Sequence, residues 1–98
     1  MNEIYITISG TQYKVKQSFR SLMLFEEMTN KALAQMDETV ADILKLFFCI
    51  LKGSNMKTFT YSFEEFLDIM DEQPDAFSQF TEYLQAQATG QPVEKKKS

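Results

Sequence analysis

Ninety-eight residues give enough chain for one hydrophobic core and not for two. The composition holds no His and no Trp, a single cysteine (Cys49), nine Phe and four Tyr, with 44% apolar residues and a net charge of −4; it excludes an internal disulfide and removes the commonest general base, metal ligand and near-neutral pH switch. The charge is unevenly placed, because residues 1–57 carry seven Lys/Arg against six Asp/Glu while residues 58–94 carry eight acids and no base, the reverse of the basic footprint that nucleic-acid binding requires.

The opening Met1-Asn2-Glu3 is polar and the next apolar residues alternate with polar ones, so no secretory signal is expected. The longest apolar run, Leu46 to Leu51, is six residues, far short of the roughly 20 that span a bilayer. The expectation is a cytoplasmic protein with neither a membrane nor a nucleic acid as partner.

Residues 3–8 (EIYITI) and 11–16 (TQYKVK) alternate strictly and are separated only by Ser9-Gly10, which predicts a tight hairpin over 3–16. That loop length pairs Ile8 with Thr11, Ile6 with Tyr13 and Ile4 with Val15, placing the apolar residues on one face. A lone hairpin is not stable and must lay that face on helices.

Ser18 is a suitable N-cap for a helix over about 18–30, with Phe19, Leu22, Met23, Phe25 and Met28 as its apolar surface. After a short connector, a second helix is predicted over about 37–52, with Asp37 and Glu38 at the positive end of its dipole and Gly53 in the C′ position. Within it Val40, Ile43, Leu44, Phe47 and Leu51 form one helical stripe, and Leu46, Phe48, Cys49 and Ile50 spread apolar surface round most of the rest. A helix so apolar must be covered on several sides, so the other elements are expected to pack about it. Thr58 to Tyr61 is β-prone but short. Ser62 with Glu65 is a capping box for a helix over about 63–73, and Pro74-Asp75 suits the first turn of a fourth over about 75–87. The predicted fold is α+β: a single domain over 1–85, its hairpin packed on three to four helices, followed by a polar tail at 88–98 that cannot offset its ordering entropy.

Catalysis has no motif here, since no His is present to activate Ser, Thr or Cys49, and an enzyme is not expected. Cys49 reads as an inert buried thiol. Asp68, Asp71, Glu72 and Asp75 lack the spacing and the glycine of a calcium loop and read as a solvated helix face, so neither a metal nor a cofactor is expected. Two features remain as candidate partner-binding surfaces. One is the acidic face that includes Glu64, Asp68 and Asp71, suited to a basic partner. The other is the apolar excess of Leu46, Phe48, Ile50, Phe59 and Tyr61, read either as enclosed core or as a patch for self-association or a client. The hairpin edges are a further candidate, for strand addition between two subunits.

The hairpin running into S-F-R-S-L-M-L-F-E-E-M-T-N-K (Ser18 to Lys31), followed by an apolar helix, a capping-box helix and a polar tail, resembles the tail assembly chaperones of long-tailed bacteriophages, most of all prophage versions in gut bacteria. The residues carrying the resemblance are Leu22-x-x-Phe25-Glu26-Glu27-x-Thr29 and Val40 to Leu51. It implies a non-enzymatic factor that coats the tape measure protein before the tail tube forms, is then displaced, and forms a homo-oligomer. Many such proteins also have a frameshifted longer form; here Lys95-Lys96-Lys97 reads as a solubilising terminus. The alternatives are a structural tail or head–tail joining component, or a small acidic adaptor unrelated to phage.

Overall fold

The computed structural model describes residues 3–89. Strand β1 (Glu3–Ile8) pairs antiparallel with β2 (Thr11–Lys16) in the predicted register, Ile4 opposite Val15, Ile6 opposite Tyr13 and Ile8 opposite Thr11. Ser9 and Gly10 both have positive φ (51° and 83°), the backbone of a type I′ turn, whose twist matches that of the strands it joins. Ile6, Ile8, Tyr13 and Val15 are buried on the shared face, while Glu3, Tyr5 and Lys16 lie on the exposed one.

Helix α1 (Phe19–Thr29) starts at Ser18, whose hydroxyl accepts the Ser21 N–H at 3.1 Å while the Ser21 hydroxyl accepts the Ser18 N–H at 2.8 Å. It is a capping box with serine in place of the usual Glu or Gln. The left-handed Asn30 ends the helix. A 3₁₀ turn over Leu33–Gln35 follows.

Helix α2 (Val40–Ser54) begins three residues later than the dipole argument places it. Asp37 is held outside the helix, donating its N–H to the Asp42 carboxylate at 3.0 Å and pairing with Lys31 at 3.0 Å, so Thr39 becomes the N-cap. At the other end α2 continues through Gly53, which therefore is not the C′ residue; Asn55 is the cap. The chain then folds back, with the carbonyl of Asn55 accepting the N–H groups of Thr58 and Phe59.

Helix α3 (Phe63–Glu72) carries the predicted Ser62/Glu65 capping box, and after Gln73 the chain enters α4 (Pro74–Thr89). The segment 58–61 is irregular, so the sheet has two strands only among the described residues. Helix α4 runs through Thr89, so residues 88 and 89, expected in the tail, are helical instead; the rest of the expected tail, residues 90–98 with Lys95-Lys96-Lys97, lies outside the described residues.

The fold is α+β, with α1, the hairpin, α3 and α4 arranged around α2. Phe47 stacks on Phe80 of α4 (4.4 Å between centroids) and meets Phe66 of α3 edge-on, while Phe48 contacts Phe59, Phe63 and Phe66. These offset and edge-on arrangements add to the area the rings bury. On the α1 side, Gly53 lies close enough to Ser21 that a Cβ would sit 3.1 Å from its nitrogen. No described helix is long and apolar enough to cross a membrane.

Candidate interaction surfaces

Four of the apolar residues singled out in the sequence are not a surface. Leu46, Ile50 and Phe59 are at most 1% exposed and Phe48 8%, and the small remaining face of Phe48 lies under Lys52, whose Nζ is 5.3 Å from the ring centroid. Tyr61 is half-buried with its ring edge-on to Phe59. The docking-patch reading of these residues is thereby corrected. The 55–62 segment folds back and brings Phe59 onto Phe48 of α2, with Tyr61 against Phe59, and the hairpin covers a further side, so a chain of this length does enclose Leu46, Phe48, Ile50 and Phe59.

Glu64, Asp68 and Asp71, in contrast, are exposed, as are Glu72 and Asp75. Their spacing of i, i+4 and i+7 puts Glu64, Asp68 and Asp71 on one stripe of α3, while Phe66 and Met70 fill the buried side. The ion pairs among the described residues all involve Lys31, with Asp37 and Asp42, so no described cation answers this ridge. No group of three or more metal-ligating side chains is found among the described residues.

Burial pushes the Cys49 thiol up to about 11, helped by the negative charge of Glu27, so it stays protonated at neutral pH and is a poor nucleophile. Its sulfur lies 3.9 Å from that of Met28.

Side chains cap the β2 edge at Lys14 and Lys16, and the β1 edge at its turn end only. Asn55 accepts the Lys14 N–H and donates to the Lys14 carbonyl (3.1 and 2.8 Å), and Ser54 does the same with Lys16 (3.3 and 3.0 Å). On the other edge Gln73 accepts from Ser9 at 3.0 Å and donates to the carbonyl of Thr7. Each side chain takes the place of a neighbouring strand, which is how an edge is kept from pairing with another chain. The sequence gives little sign of these covers, since Asn55 and Gln73 sit in polar loops remote from the strands.

One concave surface was not foreseen. A cleft of about 520 Å³ runs between the corner after α1 and the C-terminal half of α4, lined by Leu33, Met36, Ile43 and Leu84 with Gln17, Glu38, Thr81, Gln85 and Gln87. Nor was it foreseen that α1 leaves Phe19 84% and Met23 63% exposed. Helical geometry does contain that signal: Met23 is about 200° round α1 from the buried Phe25, at roughly 100° per residue.

No family model, no curated protein and no solved structure matches this chain.

Proposed function

We propose that this protein is a non-enzymatic tail assembly chaperone that binds a phage tape measure protein and keeps it soluble until the tail tube forms. The observation that supports client binding is the exposed acidic stripe of Glu64, Asp68 and Asp71 on α3, which has no ion-pair partner among the described residues, a surface suited to steering and orienting a client segment that presents Lys or Arg. The family itself comes from the resemblance of the Leu22-x-x-Phe25-Glu26-Glu27-x-Thr29 stretch and of Val40 to Leu51 to those chaperones. In this role the protein works in the host cytoplasm, takes no cofactor and is absent from the finished particle.

The test is co-expression with the tape measure protein of the same phage, followed by capture at low and at high salt. Capture should weaken as salt rises, because screening shortens the reach of exposed charges. Reversing Glu64, Asp68 and Asp71 to Lys should abolish capture with the fold intact. Capture indifferent to both would sink the proposal, and finding the protein in purified particles would favour a structural component instead.

A further inference from the structure

We propose that this protein associates with itself by seating Phe19 and Met23 of one molecule in the Leu33–Met36–Ile43–Leu84 cleft of a second copy. The two halves of such a contact are both present on each molecule. Phe19 is the most exposed large apolar side chain described, and Met23, four residues on, lies one turn along the same stripe of α1. A paired aromatic and thioether left in water are the kind of anchors that interfaces bury. The cleft is lined by four apolar side chains, and Val40, three residues before Ile43 and so on the same stripe of α2, is 63% exposed.

Charge agrees with this pairing. Arg20, next to Phe19, is exposed and makes no ion pair among the described residues, whereas the one charged residue lining the cleft is Glu38 and its α4 wall is neutral at Thr81, Gln85 and Gln87. Neither Phe19 nor Met23 lines the cleft, so the contact joins two different surfaces and every subunit offers one of each. The competing routes to self-association are poorer: the β2 edge is capped by Asn55 and Ser54 and the turn end of β1 by Gln73, and Leu46, Phe48 and Ile50 are core. The acids of α3 take no part, so this inference stands apart from the client-binding proposal.

Sedimentation velocity of the purified full chain across the micromolar range, with no client present, tests it. The wild type should associate as concentration rises. Phe19→Asp, at a position almost wholly in water, should weaken association roughly tenfold or more, as loss of a buried aromatic anchor does, while leaving the circular dichroism spectrum unchanged. Val40→Asp should have a similar effect from the cleft side without touching the core. Mixing the two variants should restore a one-to-one complex, because the first keeps an intact cleft and the second an intact Phe19. Glu38→Arg should weaken association and Arg20→Glu in the same chain should recover it. A wild type that stays monomeric throughout, variants that associate as the wild type does, or a mixture that fails to pair would each overturn the inference.

Discussion

Asp42 is the one buried carboxylate described, 5% exposed, and its Oδ2 takes two hydrogen bonds. It accepts Lys31 Nζ at 2.7 Å and the Asp37 N–H at 3.0 Å, which together hold the corner between α1 and α2. The Lys31 ammonium, and then the Asp37 N–H, hold its carboxyl below the ordinary carboxylate range, while Asp42 and then Asp37 hold Lys31 above the usual lysine value. A carboxyl with a lowered folded value adds stability that is full above its unfolded value, about 3.9, and is lost as pH falls through the folded one. A raised lysine adds stability that is full below its unfolded value, about 10.4, and is lost as pH climbs through the folded one. The pair therefore supports a plateau over the neutral range. Asp42→Asn should lower the melting temperature at neutral pH, and that deficit should shrink in acid below the carboxylate range. A deficit independent of pH would show that geometry, not charge, is what matters at this corner.

At the scale of elements, the decisive approach is that of α1 to α2. A Cβ at Gly53 would lie 3.1, 3.2 and 3.3 Å from the N, Cβ and Cα of Ser21. In an exposed helix Gly→Ala gains about 1 kcal/mol of helix propensity. Here Ser21 is fully buried and its hydroxyl is tied to Ser18 at 2.8 and 2.7 Å, so the neighbour has no room to give. Overpacking costs of about 1–3 kcal/mol should outweigh the propensity gain. Gly53→Ala is thus expected to lower the urea midpoint and Gly53→Val to lower it further. The N-cap at Ser18, the capping box at Ser62 and the hairpin register were legible in the sequence because they depend on residues at most three apart, or on a two-residue turn. Gly53 looked like a helix stop because glycine usually is one there. Its role in packing depends on Ser21, thirty-two positions away, which no local pattern contains.

The whole molecule rests on the aromatic contacts that α2 makes with α3, α4 and the 55–62 segment. Phe48 meets the rings of Phe59, Phe63 and Phe66 within 5.7 Å between centroids. Phe48→Ala should cost about 3–5 kcal/mol, a large share of the roughly 5–15 kcal/mol that holds a domain together, and Phe48→Asp should leave the chain unfolded as measured by near-ultraviolet circular dichroism. A Phe48→Asp protein that folds and merely loses association would return this residue to the surface. The acidic candidates were legible because a run of acids without bases has nowhere to go but water. The apolar candidates were not, since burial of Phe48 or Phe59 depends on how the other elements close over α2.

By itself the sequence determined the α+β composition, the hairpin register, a set of three to four helices, the central place of α2 and the exposure of Glu64, Asp68 and Asp71. All of these follow from local periodicity, capping and the solvation of charge. Only the tertiary structure decided which apolar faces are spent inside the domain and which remain. Leu46, Phe48, Ile50 and Phe59 went to the core, while the Phe19–Met23 stripe and the cleft beside α4 stayed open. Periodicity says that a residue is apolar and on which side of its helix it stands. What covers that side is set by long-range packing of the chain on itself.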